Sequence, residues 1–209
     1  MSTPFSSIKV PLVAILRGLT SSDAAHVGKV LFEAGFRLLE VPLNRPGAID
    51  AIRILHDMMP PDAMVGGGTV MTLQDVDAIE DAKGRLIISP HCDPEVIAYS
   101  VKRGLVSMPG VATATEAFRA LAAGAHGLKL FPADMVTPAA VKSLRSVIPA
   151  GVPLFPVGGI HAGNMAPYYA AGASGFGIGS QLYQPGVDLQ ALRTTADEFM
   201  AVRQKLLAQ

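Results

Sequence analysis

A (β/α)8 barrel forming a single domain over residues 1–209 is the fold the sequence predicts. Eight short apolar runs rich in Val, Ile and Leu alternate with segments of helical period, the pattern expected when every parallel strand is followed by a crossover helix. No linker or low-complexity block interrupts them, and the 21 glycines and 16 prolines are spread through the chain. Eight units in 209 residues leave about 26 per unit, so the barrel would carry few decorations against the ~250 residues usual for the fold. An open doubly wound sheet is the competing architecture, although eight regular units exceed what most open sheets use.

Taken in order, the first strand is read over Val10–Arg17, and its helix opens at Ser21-Ser22-Asp23 and stops at Glu33-Ala34-Gly35. The second strand is Leu38–Pro42 and the third Ala63–Gly68, with Thr72-Leu73-Gln74-Asp75 opening the helix after it. The fourth, Leu86–Ser89, leads to Asp93-Pro94-Glu95 and a stop at Lys102-Arg103-Gly104. The fifth, Leu105–Pro109, leads to Thr113-Ala114-Thr115-Glu116 and a stop at Ala122-Ala123-Gly124. The sixth is Gly127–Phe131, the seventh Pro153–Val157 with a stop at Ala170-Ala171-Gly172, and the eighth Gly175–Gly179. Ser, Thr and Asp accept the unpaired N–H groups of a helix start, and acidic side chains there suit the helix dipole. Glycine at the stop takes the left-handed conformation that turns the chain back into the sheet.

Charge and cysteine content narrow the function. Seventeen Lys+Arg balance seventeen Asp+Glu, a formal net charge of +0 that leaves no basic field for nucleic acid or an anionic membrane. The single cysteine, Cys92, cannot form an internal disulfide, so the cytoplasm is the expected compartment. The opening MSTPFSSIKVPLVAIL has no basic n-region before a long apolar stretch, and no run approaches the ~20 apolar residues of a membrane span.

In a barrel the chemistry is expected where the strands end. Lys129 stands inside the apolar sixth strand, Gly127-Leu128-Lys129-Leu130-Phe131-Pro132. Burial disfavours an ammonium, which makes the neutral amine available to attack a ketone and form a Schiff base; a buried stem with its head at the rim is the alternative. Glu40 ends the second strand, opposite the sixth across an eight-stranded barrel, so amine and carboxylate can meet as a nucleophile and a proton-transfer group, or as a structural ion pair. Arg17 follows Val13 and Ile15 at even spacing, which puts it on their inner face as a clamp for a carboxylate, unless it is a solvated loop arginine beside Gly18. Thr69, after Gly66-Gly67-Gly68, offers a hydroxyl to the same carboxylate or caps the next helix.

Val157-Gly158-Gly159-Ile160 and Gly175-Phe176-Gly177-Ile178-Gly179-Ser180 bring glycine-rich turns to the ends of strands seven and eight, a frequent phosphate site in barrels. The five histidines show no metal-ligand spacing, and no HxH, HExxH or CxxC pattern occurs, so no metal is expected. His91 and His161 lie in strand-end loops within possible reach of a substrate.

These residues, in this order, resemble the 2-keto-3-deoxy-6-phosphosugar-acid aldolases, small class I aldolases of the KDPG and KDPGal type. The resemblance rests on Ala14-Ile15-Leu16-Arg17-Gly18, Leu39-Glu40-Val41-Pro42-Leu43-Asn44, Gly66-Gly67-Gly68-Thr69-Val70, Ser89-Pro90-His91, Pro109-Gly110, Leu128-Lys129-Leu130-Phe131-Pro132, Pro156-Val157-Gly158-Gly159-Ile160 and Gly179-Ser180. It implies that Lys129 forms the Schiff base, that Glu40 is the acid/base and that Thr69 contacts the pyruvate end. It also implies that Gly158, Gly159, Gly179 and Ser180 hold the phosphate, with Arg17, Asn44, Pro90 and Phe131 among the substrate contacts. A phosphorylated keto-deoxy sugar acid, cleaved to pyruvate and glyceraldehyde 3-phosphate, would be the substrate, without metal or organic cofactor, in a homotrimer. Asn44 stands where the gluconate-type enzymes carry Arg, and together with Arg17 in Leu-Arg-Gly it resembles the galactonate type. A phosphate-binding barrel isomerase and a non-catalytic sugar-phosphate binder are the rivals, and neither would need Lys129 in its apolar strand.

Overall fold

Short runs of β-branched and aliphatic residues form the strands, and each helix is bounded by groups that satisfy its ends. The computed structural model describes residues 4–5 and 8–208; part of the opening segment and the last residue of the expected domain lie outside them. In chain order come β1 (Leu12–Ile15), α1 (Ser21–Ala34), β2 (Leu38–Pro42), α2 (Ala48–Met58), β3 (Met64–Gly68), α3 (Leu73–Asp81), β4 (Leu86–Ile88) and α4 (Pro94–Lys102). Then follow β5 (Val106–Met108), β6 (Gly110–Val111), α5 (Ala114–Ala122), β7 (Leu128–Leu130), α6 (Pro138–Arg145), β8 (Leu154–Pro156), a 3-10 turn (Ala162–Asn164), α7 (Met165–Ala170), β9 (Phe176–Ile178) and α8 (Leu189–Leu207).

All strand pairs are parallel, in the order β5-β4-β3-β2-β1-β9 and β6-β7-β8. The two sheets join where the chain runs from β5 to β6 through Pro109 and where Val157, just past β8, bridges to Gly177 of β9. The curled sheet is thus a (β/α)8 barrel whose fifth stave is broken in two. Proline has no N–H to give to a ladder, so the strand expected over Leu105–Pro109 breaks at its last residue and resumes to Val111. The first strand is shorter than expected at both ends: Val10 has φ 46°, outside the β region, and residues 17–18 already turn.

Helix starts follow the sequence, with one shift. Thr20, rather than Ser21, caps α1 by accepting from Asp23 N–H. Thr72 with Asp75 and Thr113 with Glu116 form reciprocal capping boxes, and Asp93 caps α4 ahead of Pro94. Gly35, at φ 106°, donates its N–H to the carbonyls of Leu31 and Phe32 and closes α1.

Strand alternation sorts the core into two layers. Leu39 and Val41 of β2 and Leu128 and Leu130 of β7 point outward into the layer beneath the helices, with Ile52, Leu55 and Ile79. The inward set includes Val13, Ile15, Leu38, Leu86, Ile88, Val106, Met108, Phe155 and Val157, and Phe5 packs edge-on against Phe155 with ring centroids 5.1 Å apart. Glu40 and Lys129 hold inward positions between those outward neighbours. The barrel interior therefore contains two ionisable side chains, both buried.

Candidate active site

Polar groups from six strand ends converge on a cavity of about 270 Å3 at the C-terminal end of the barrel. Lys129 is 6% exposed and Glu40 2%, and Lys129 Nζ lies 3.8 Å from Glu40 Oε1. That separation is too long for a hydrogen bond, so the two groups face each other without a tight contact. Burial pushes the Glu40 carboxyl above the usual carboxylate range, against the opposing pull of the Lys129 and Arg17 charges. A carboxyl held in this way keeps its proton to higher pH than an exposed one would. Lys129 Nζ also sits 5.2 Å from the centre of the Phe131 ring.

Ten of the eleven residues singled out in the sequence line this cavity: Arg17, Glu40, Thr69, Pro90, Lys129 and Phe131, with Gly158, Gly159, Gly179 and Ser180 at the ends of β8 and β9. Asn44 does not. It lies exposed in the turn after β2, and none of residues 43–47 lines the cavity. His91 and His161 are also absent from the wall. The His161 N–H instead bonds to Asn164 Oδ1, and the Cys92 thiol donates to the Glu116 carbonyl.

Thr69 has φ 55°, a left-handed conformation that is costly for a β-branched residue and that tends to persist where function requires it. Gly158 and Gly159 are also left-handed, with φ 104° and 67°. Their turn is tied by Asn164 Nδ2, which donates to the Gly159 carbonyl at 2.9 Å. After β9, the Gly179 carbonyl accepts from Leu182 and Tyr183 N–H, winding one helical turn. Among the described residues the N–H groups of Gly159, Gly179 and Ser180, all three on the cavity wall, are donors without a backbone acceptor, the kind of group that can bind an anion.

Several wall residues carried no signal in the sequence. Gln181, Tyr183, Gln184 and Pro185 line one side, on a segment without helical or strand period. Among the described residues no group of three or more His, Cys, Asp and Glu is placed to hold a metal ion, and no helix is long and apolar enough to cross a membrane.

The model of the KDPG and KHG aldolases matches residues 6–194. The chain belongs to that family. As a member of it, this aldolase is a carbon–carbon lyase. It is 43% identical over 194 residues to the 2-dehydro-3-deoxy-6-phosphogalactonate aldolase of Escherichia coli strain K12, covering 92% of this chain and 93% of that one. A solved structure of native KDPGal superimposes with a TM-score of 0.93 at 38% identity, covering 96% of this aldolase and 98% of the other chain. The KDPG aldolase of Legionella pneumophila, solved with pyruvate captured as a covalent carbinolamine intermediate, gives a TM-score of 0.81 at 26% identity, with 98% of each chain covered.

Proposed function

We propose that this aldolase cleaves 2-dehydro-3-deoxy-6-phosphogalactonate to pyruvate and D-glyceraldehyde 3-phosphate through a Schiff base on Lys129. The observation that carries the chemistry is a buried amine 3.8 Å from a buried carboxyl in the same cavity. Lys129 Nζ adds to the C2 ketone, and the carbinolamine loses water to give an iminium. Glu40, through a water, takes the C4 hydroxyl proton while the C3–C4 bond breaks and its electrons pass into the iminium, leaving an enamine and the free aldehyde. The same carboxyl then returns a proton to C3, and hydrolysis of the imine frees pyruvate and the lysine. No step needs a metal or an organic cofactor.

Around this pair, Arg17 and Thr69 hold the substrate carboxylate, Pro90 and Phe131 pack against its carbon chain, and the turns at Gly158-Gly159 and Gly179-Ser180 bind the phosphate. Asn44, outside the wall, serves as a marker of the galactonate branch rather than as a contact. The pyruvate carbinolamine in the Legionella pneumophila relative supports the covalent step. The reading extends to one barrel domain over residues 1–209, working as a cytoplasmic homotrimer in galactonate degradation. Exposed Phe118 and Met135 offer apolar surface for a second copy.

The galactonate assignment rests on the 43% identity to the Escherichia coli enzyme and on Asn44 in place of Arg. A gluconate or dual-specificity enzyme is the second reading, favoured by the same wall, because the two substrates differ only in configuration at C4. Steady-state kcat/KM measured on both epimers decides between them. The galactonate epimer is expected to match or exceed the gluconate one, and a clear gluconate preference would overturn the branch while leaving the aldolase intact.

The phosphate assignment has its own test. Gly159→Val places a branched side chain at φ 67°, where even the first carbon would lie 2.9 Å from Asp134 Oδ1. KM for the phosphorylated substrate is expected to rise, while activity on a non-phosphorylated analogue changes less. Equal losses on both would indicate a folding defect.

A further inference from the structure

The run Gly66-Gly67-Gly68 is not needed for backbone freedom, since none of its members has a left-handed φ. Its use lies in the space it leaves. β2 and β3 pair with Glu40 opposite Gly66 and Pro42 opposite Gly68. Alternation sends a Cβ at position 67 outward, where it would strike the end of the Ile79 side chain in the helical layer, and a Cβ at position 68 inward. There it would overlap Cγ, Cδ and Oε1 of Glu40. The Glu40 side chain therefore leans from β2 across the bare inner face of β3, and the carboxyl group occupies the space a residue-68 side chain would fill.

We infer that Gly68 is a positioning residue: its missing Cβ fixes where the Glu40 carboxyl rests beside Lys129. The inference deepens the proposed reaction and rests on the reading of Glu40 as its proton-transfer group. An alanine at 68 can adopt the backbone, so its cost falls on the side chain it displaces. A reacting group shifted by about 1 Å can lose on the order of 10²-fold in rate. Gly67→Ala supplies the control, because it adds the same methyl to the same strand on the opposite face, against Cδ1 and Cγ1 of buried Ile79 and away from Glu40.

The test compares kcat and KM for cleavage and the melting temperature across full-length variants. Gly68→Ala is expected to lower kcat about 10²-fold with KM nearly unchanged, whereas Gly67→Ala keeps kcat close to that of the parent. Added to Glu40→Gln, Gly68→Ala should cause no further loss of kcat, because the group it displaces no longer transfers protons. Equal kcat in the two alanine variants, or losses that multiply fully in the double variant, would overturn the inference. Stability reads the contact independently of turnover. Gly68→Ala should lower the melting temperature less in a Glu40→Ala background, where nothing remains to overlap, than in the parent. If Gly68→Ala does not fold, recovery of folding in Gly68→Ala/Glu40→Ala supports the inference and failure overturns it. Near-native turnover of Glu40→Gln would instead overturn the underlying reading of Glu40, and the inference with it.

Discussion

Borohydride added with pyruvate is expected to inactivate the enzyme and to leave one reduced pyruvyl group, on Lys129. The chain has six other lysines, all exposed, whereas Lys129 alone is buried in an apolar strand with a carboxyl beside it. An exposed ammonium is well hydrated and gains little from giving up its proton, so the surface lysines should react slowly by comparison. Lys129→Met is expected to remove both the label and the turnover, by on the order of 10⁵-fold or more, the scale seen when a covalent nucleophile is lost. Peptide mass mapping after trapping checks the site, and steady-state cleavage checks the rate. A label elsewhere, or a Met variant that still turns over, would refute the class I mechanism for this cavity.

Glu40→Gln is expected to slow cleavage by roughly 10²–10⁴-fold, the range for losing a general acid/base, while pyruvate can still be trapped on Lys129. Gln keeps the shape that fits over Gly68 and removes only the exchangeable proton. The pH profile gives a second reading of the same change. Burial raises the Glu40 carboxyl above its ordinary range, so it stays protonated to higher pH and becomes able to accept the C4 hydroxyl proton only above that point. In the parent, kcat should therefore rise with pH along a limb lying above the usual carboxylate range, and Glu40→Gln should abolish that limb. Single-turnover rates followed against pH in both proteins check this.

Counting strands in the sequence was enough to put Glu40 opposite Lys129; that both side chains turn inward and meet is what the structure adds. The glycine turns after the last two strands were legible for a similar reason, because a pair of glycines between apolar runs marks a backbone bend whatever the surrounding packing. What periodicity does not report is volume or the course of an irregular loop. Gly68 looked like one glycine of three until the Glu40 side chain was seen lying across it. Asn44 belongs to a motif that reads continuously with Glu40, yet it lies exposed in the turn after β2 and does not line the cavity. Gln181, Tyr183 and Gln184 reach the wall from a loop whose path depends on the Gly179 turn, which no pattern of residue types specifies. The break at Pro109 was also missed, with an unbroken strand expected over Leu105–Pro109, although a proline at a strand end is a visible warning of it.

Phe5, wedged against Phe155, has a consequence for traffic through the enzyme. Together with the inward-facing leucine, isoleucine, valine and methionine side chains of β1 to β5, it fills the lower half of the barrel and makes it a cul-de-sac rather than a conduit. Substrate, water and both products must then share one doorway, framed by the glycine turns proposed above as the phosphate site. Under the proposed reaction, the phosphorylated aldehyde stands in that doorway while pyruvate is tethered behind it on Lys129. Departure is therefore queued: the aldehyde leaves first, and the water that releases pyruvate enters along the path it has vacated.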